Sequence, residues 1–473
     1  MQTIFNDRMD TKKLRQKILD LAIHGKLVPQ DPNDEPTSVL LERIRAEKER
    51  LIAEGKIKRS KKSATSDTSH YENVPFEVPE GWCWCSISDI CSKIGSGSTP
   101  RGSNYAEHGI PFFRSQNVYN DGLVYDDIKY ISEDVHKSMI GTEVLPKDLL
   151  LNITGGSLGR CAVVPSEFER GNVSQHVCIL RTVQVLPEYL HCFIISDYFS
   201  DTMILSGSGR EGLPKYSLEA MMIPIPPLAE QSRIVSSIVQ LITFVNSIEG
   251  SITDILQSVQ VAKSKILNLA IHGKLVPQDP NDEPASELLK RINPKFVPCD
   301  NAHYENVPSN WALARVEDIG QLLSGRDLTN DECNSENIGL PYLIGASNIE
   351  GNTFSFIRWT EKPQVISQIG DILISCKGTI GAIVKNDIGD IHIARQFMAI
   401  RPNTDGITSD YLHICMIAVV EEIKKDARGV IPGIARDNIL TKVFAIPPIN
   451  EQRRIIAAIN QYHCILDNIS AEL

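Results

Sequence analysis

At 473 residues the chain exceeds what one hydrophobic core serves, so two or more domains are expected. An apolar fraction of 42% and a charged fraction of 23% are those of a soluble globular protein. The net charge of −11, with a pI near 5.6, excludes a wholly basic nucleic-acid binder but leaves room for a local basic surface.

The start, MQTIFNDRMDTKKLRQKI, has no apolar h-region, so no secretory signal is expected. Residues 22–36 read AIHGKLVPQDPNDEP, and residues 270–284 repeat all fifteen without a change. The clearest cationic run, KIKRSKK at 56–62, reads as a solvated linker or a phosphate clamp. It has no counterpart in the second copy, which makes it an accessory. HYENVP at 70–75 recurs at 303–308.

A first insert of short β-branched runs, broken by Gly and Asn, comes next. It opens with VPEGWCWCSISDI at 78–90 and turns at IGSGSTPRG (94–102). It continues through GIPFFRSQNV (109–118) and KDLLLNITGGSLGRCAVV (147–164), with one helix around 187–205. The exit is IPPLAEQSRIV at 225–235. The second insert runs in parallel: VPSNWALARVEDI (307–319), LLSGRDLT (322–329), GLPYLIGASNI (339–349), GDILISCKGTIGAIV (370–384), a helix around 409–425, and the exit IPPINEQRRII (446–456). YLH occurs in both, at 189–191 and 411–413. Each insert reads as a compact mixed α/β domain. The eleven cysteines are dispersed, with a lone CxC at Cys83 and Cys85, and read as buried thiols in a reducing cytoplasm.

After Pro226-Pro227 a long helical pattern carries Ile234, Ile238, Leu241, Val245, Ile248, Ile252, Ile255, Val259, Ala262, Ile266 and Leu269. The spacing alternates four and three, the a/d seam of a coiled coil. The run would span ~54 Å, with a local bend expected at Gly250. Its most apolar stretch, 234–248, is too short to cross a bilayer and ends at Glu249. After Pro447-Pro448, Ile455, Ile459, Tyr462, Leu466, Ile469 and Leu473 repeat the spacing. Leu14, Ile18 and Leu21 match Ala262, Ile266 and Leu269. The repeat is therefore circular: the two ends together rebuild a second long helix, expected to pack antiparallel to the first with pseudo-twofold symmetry. Two divergent heads on such a frame suit a duplex, whose strands are also related by twofold axes.

The Trp-opened inserts, the IPPLAEQ and IPPINEQ exits and the repeated helices resemble the specificity subunit of type I restriction-modification enzymes. The doubled AIHGKLVPQDPNDEP block is similar to the branch that repeats its N-terminal conserved region centrally, and the resemblance covers essentially the whole chain. It implies an α+β fold in which two mixed α/β target-recognition domains are joined by two long antiparallel helices as a coiled coil. The regions would be 1–74 (N-terminal conserved helical), 75–226 (first target-recognition domain), 227–306 (central conserved helix and spacer), 307–447 (second target-recognition domain) and 448–473 (C-terminal conserved helix). It implies a non-catalytic, cytoplasmic reader of double-stranded DNA with a bipartite, asymmetric target, holding no cofactor or metal of its own. Two adenine-N6 methyltransferase subunits and the motor-nuclease subunits would be its partners, with no membrane. Those partners would carry S-adenosylmethionine, ATP and Mg, and would perform the methylation and restriction.

The chain's own motifs agree. It has no GxxxxGK[ST] phosphate loop and no (D/N)PP(Y/F) tetrapeptide of an adenine methyltransferase. Gly155, Gly156 and Gly159 read as a turn between strands, and His176, His191 and His413 lack the neighbours of a catalytic constellation. Base reading needs Arg or Lys on guanine and Asn or Gln on adenine. The loop candidates in the first head are Arg101, Arg114, Gln116, Asn117, Arg160, Gln175 and Arg210. In the second they are Arg326, Asn348, Lys377, Arg395, Gln396, Arg428 and Arg436. Ser98, Thr99, Ser157 and Thr379 are candidate phosphate ligands. Gln175 and Gln396 each lie four residues before an isoleucine and read as equivalent positions. Two other functions stay open: a single-chain enzyme with its own methylation chemistry, which the missing tetrapeptide opposes, and a coiled-coil assembly adaptor without sequence readout.

Overall fold

Each insert is closed by pairing its first strand with its last. Strand Cys83–Ser86 runs antiparallel to Met222–Ile225, with Trp84 opposite Pro224. In the second insert Ala312–Arg315 pairs with Val443–Ile446 in the same way. The computed structural model describes residues 10–59, 74–100, 102, 105–206, 212–299, 304, 307–351, 353–425 and 433–473. The chain divides into two units, Met1–Ser251 and Ile252–Leu473.

The heads share a topology that their sequences no longer share. The first has a four-stranded sheet ordered Cys91–Ser96, Val177–Thr182, Leu149–Asn152, Cys161–Val163. A second sheet is ordered Lys129–Ile131, Ile110–Phe113, Gly171–Val173, Glu143–Val144. The other unit repeats both orders, as Gly320–Ser324, Phe397–Pro402, Ile372–Ser375, Ile383–Lys385 and as Trp359–Thr360, Leu340–Leu343, Ile391–Ile393, Ile366–Ser367. The runs LLLN and ILIS are buried at every residue, as expected of strands covered on both faces. One ion pair on a buried carboxylate recurs beside them: half-buried Arg181 forks onto Asp148 at 2.7 and 2.8 Å, and half-buried Arg401 onto Asp371 at 3.0 and 2.9 Å. All eleven cysteines are free thiols, most of them buried.

The doubled block is the seat of the exit motif. In the first unit Gln30 and Trp82 donate to the two oxygens of buried Glu230, each at 2.9 Å, and Arg233 forks onto Asp34 at 2.6 and 3.3 Å. In the second unit Gln278 donates to Glu451 at 2.7 Å and Arg454 to Asp282 at 2.7 Å. Trp311 faces buried Glu451 there without meeting hydrogen-bond geometry, and burial raises the Glu451 carboxyl above its ordinary pKa. Gln231 and Gln452, also buried, each accept a backbone N–H from the head, at Leu186 (3.0 Å) and Thr408 (2.7 Å).

Helix Leu228–Ile271 continues through Glu249 and Gly250, and by length and composition alone it would pass for a membrane span. The helix thus covers the whole expected run, from Ile234 to Leu269. In the first unit the N-terminal helix Thr11–Ile23 runs antiparallel to it, and Arg15 reaches Asn246 (2.5 Å) and Glu249 (2.7 Å). In the second unit Lys263 meets Asp467 of the helix Ile449–Glu472 at 2.5 Å. The strict seam needs correction. Ile234, Ile238, Val245, Val259, Ile18, Ile455 and Ile459 are buried, and Ile248, Ile252, Ile266, Leu269, Leu21 and Leu466 half-buried. Leu14, Leu241, Ile255, Tyr462 and Ile469 are exposed. Ile242 packs on the core where Leu241 was expected, and His463 is more covered than Tyr462. An unsupercoiled helix has 3.6 residues per turn, so a heptad stripe drifts ~20° per repeat and its contact passes to the next residue.

Candidate nucleic-acid interface

Most of the candidate readers lie on four turns that hydrogen bonds link together. In the first head the glycine turn after Cys91–Ser96 is tied to the others by Gly97 N to Val177 O (3.0 Å) and Ser98 N to Val173 O (3.2 Å). Asn152 donates from its side chain to Ser115 O (2.8 Å) and Ser157 Oγ (3.2 Å). Ile153 N donates to His176 O at 3.0 Å. Ser98, Thr99, Arg114, Gln116, Ser157, Arg160 and Gln175 thus share one end of the head. The guanidinium of Arg160 lies 4.7 Å from the Tyr119 ring centre, a cation–π arrangement.

The second head repeats these links. Gly325 N donates to Phe397 O (3.0 Å), Arg326 N to Ile393 O (3.0 Å) and Cys376 N to Gln396 O (2.7 Å). Arg326, Lys377, Thr379 and Arg395 are exposed there. Arg436 joins them by donating to Ser324 Oγ (2.5 Å) and Leu322 O (3.1 Å). Arg395 is held by Asp327, at 2.6 Å.

Three expectations change. Asn117 and Asn348 are buried, and their side chains bind the backbone, so they are structural residues and not base readers. Gln175 and Gln396 are not equivalent. The matching bonds Ile153–His176 and Cys376–Gln396 pair Gln396 with His176, and Gln175 with Arg395. Counting back from an isoleucine slipped the register by one, which in a strand context changes the face. The cationic run is partly neutralised, because Lys56 pairs with Glu54 (2.8 Å) and Arg59 with Glu49 (2.5 Å). Residues 60–62 of that run, and the candidates Arg101, Arg210 and Arg428, lie outside the described residues.

The sequence reading missed carboxylates altogether, having searched for donors. Asp127, exposed and at φ 51°, accepts from Arg114 (3.1 Å), Gln116 (3.1 Å) and Lys129 (3.1 Å). The bonds from Lys129 and then Arg114 hold its carboxyl at a pKa of about 2. The available signal was an acidic pair, Asp126-Asp127, in a loop closing back on an Arg-x-Gln turn.

The family model described as the type I restriction modification DNA specificity domain matches twice, at residues 79–257 and 308–473, more than half the chain. The specificity subunit of the Escherichia coli type I restriction enzyme EcoEI is 26% identical, over 99% of this chain and 91% of its own. That of EcoAI, also from Escherichia coli, is 27% identical, over 96% and 89%. A chain from a structure of complex assembly and conformational transition in the type I R-M system superposes with a TM-score of 0.63, at 19% identity, over 84% of this chain and 93% of that one. The HsdS subunit from Thermoanaerobacter tengcongensis gives 0.55, at 18% identity, over 83% and 92%. At these identities the two structures speak to the fold.

Proposed function

This chain belongs to the type I restriction modification DNA specificity family, and from that premise we propose that its two heads each read one half of a split, asymmetric duplex target. The observation carrying the proposal is that one topology and one set of turn-to-turn hydrogen bonds occur twice, with different side chains on them. Two copies of a single reader would recognise identical half-sites; two divergent readers on a common frame recognise a target with unlike halves. The donors on those turns suit phosphates and the major-groove edges of bases.

In this reading the chain has no chemistry of its own and works in the cytoplasm. It positions two adenine-N6 methyltransferase subunits, which bring S-adenosylmethionine, and motor-nuclease subunits, which bring ATP and Mg. Val239, Phe244 and Val261 of the long helix are exposed apolar residues, as a docking surface for such partners requires. The test is a genome-wide map of N6-methyladenine in a methylation-free host expressing this chain with its cognate methyltransferase subunit. A single two-part motif, lost when this chain is omitted, is the expected result. A stable complex that methylates without sequence preference would overturn it.

The same exposed apolar residues favour a second reading, a coiled-coil adaptor without readout. Exchange of residues 78–226 for another head separates the two. Under the adaptor reading the target, if any, does not change.

A further inference from the structure

One hairpin is built twice, and the two copies differ in what they carry. In the first head Asn117 Oδ1 accepts from Arg114 N (3.1 Å) and its amide donates to Val124 O (3.0 Å), while Val124 N returns a bond to Asn117 O (2.9 Å). In the second head Asn348 makes the same three bonds, with Gly345 N (3.1 Å), Ser355 O (2.9 Å) and Ser355 N (2.8 Å). The buried asparagine fixes two pairs of counterparts, Arg114 with Gly345 and Gln116 with Ser347. Every one of these pairs differs in size, in charge or in both. On a frame this constant, chemistry that varies at exposed positions points to a recognition element.

In the first copy the variable residues act together. Asp127 takes two bonds from the Arg114 η2 nitrogen, one at its carbonyl (2.5 Å) and one at its carboxylate (3.1 Å), and a third bond from the Gln116 amide (3.1 Å). A guanidinium has five donors in a rigid fork, so a carboxylate holding one edge sets the plane in which the remaining donors point. The same carboxylate takes the Gln116 Nε2, which fixes the amide so that its Oε1 faces away as an acceptor. The low pKa of Asp127 keeps it ionised, and Lys129 steadies it from the other side.

We propose that this asparagine-pinned hairpin sets the base preference of each head, and that Asp127 is the positioning residue which makes Arg114 and Gln116 one reading unit in the first. The proposal rests on the reading that the heads bind DNA. Arg114 reads guanine and Gln116 an adjacent adenine, the pairings their donors and acceptors allow. Asp127 touches no base and acts through both.

The experiment maps N6-methyladenine in a methylation-free host expressing the full chain with its methyltransferase subunit, for the native protein and for Asp127→Ala, Arg114→Ala and the double variant. Asp127→Ala should lower discrimination about 10- to 100-fold at one or two adjacent base pairs of one half-site. Arg114→Ala should loosen the same position, the double variant should go no further, and Asp127→Glu should recover part of the discrimination. The other half-site should keep its sequence, which a general loss of folding would not allow. If Asp127→Ala does not accumulate, Asp127→Asn serves in its place. An unchanged motif, loosening of both half-sites, or loosening at a base pair that Arg114→Ala leaves alone would overturn the proposal. Absence of any two-part motif in the native protein would instead remove the DNA reading on which it stands.

Discussion

The Tyr189 hydroxyl donates a 2.7 Å hydrogen bond to the carbonyl of Pro224, inside a completely buried site. Tyr189 opens the YLH triplet, and Pro224 lies on the strand that closes the first head. Tyr411 of the second YLH reaches Ala445 at 2.9 Å, in the corresponding place. The echo is thus a tether between the helix of each head and its closing strand. Tyr189→Phe removes the donor and leaves a buried carbonyl with one fewer partner, at a cost of about 1–2 kcal/mol. A urea titration checks it, and an unmoved midpoint would show that the tether contributes nothing.

Gly25 and Gly273 sit at the same point of the doubled block, at φ +66° and +67°. A Cβ on Gly25 would lie 2.3 Å from Pro79 Cγ, and one on Gly273 2.6 Å from Pro308 Cγ. Backbone handedness alone disfavours alanine there by about 1–2 kcal/mol, and the proline ring has the opening tryptophan behind it. Gly25→Ala and Gly273→Ala should each lower stability by more than that. Thermal unfolding of the two variants measures it; a loss confined to one of them would mean the two seats are not mechanically equivalent.

His191 and His413 end the two YLH triplets, and burial depresses the pKa of both imidazoles below the ordinary 6.5. At His191 the bond to the Cys161 carbonyl (2.8 Å) opposes that shift without cancelling it. With the folded pKa below the unfolded one, the unfolded chain binds more protons in acid. The stabilisation is therefore present above about pH 6.5 and is lost as pH falls through it. The urea midpoint should decline between roughly pH 7 and 5, and His191→Gln with His413→Gln should flatten that decline. An equal slope in the double variant would place the acid sensitivity elsewhere.

The frame was legible in the sequence because it is local and written twice. The fifteen-residue block, the EQ exits and the opening tryptophans all turn out to touch one another, as at Gln30, Trp82 and Glu230. The heads were legible only as a class. Their strand order depends on pairings such as Cys178 with Ser96, far apart in the chain, and no periodicity encodes these. Site residues fared according to what their chemistry could reveal. Arg114 and Gln116 were visible as donors, whereas Asp127 gains its role from a turn that brings it back from eleven residues away. Asn117 and Asn348 looked like adenine readers because an amide has the same hydrogen-bonding inventory whether it meets a base or a backbone. Only burial separates the two cases.

The heptad pattern places Leu241 and Val245 on one seam, but Val245 is 1% exposed and Leu241 36%. That difference gives a paired test in which both sites lie within one helix and receive the same new residue, so the propensity of aspartate enters both alike. Val245→Asp buries a carboxylate in an apolar site, at a cost of about 3 kcal/mol or more. Leu241→Asp leaves its carboxylate in water and should cost about 1 kcal/mol at most. The second copy offers an independent comparison, Ile459→Asp (4% exposed) against Tyr462→Asp (45% exposed). Urea midpoints of the four variants should separate by burial and not by heptad position. If Leu241→Asp proved as damaging as Val245→Asp, the helix would be obeying the strict seam, and the drift to Ile242 would have to be abandoned.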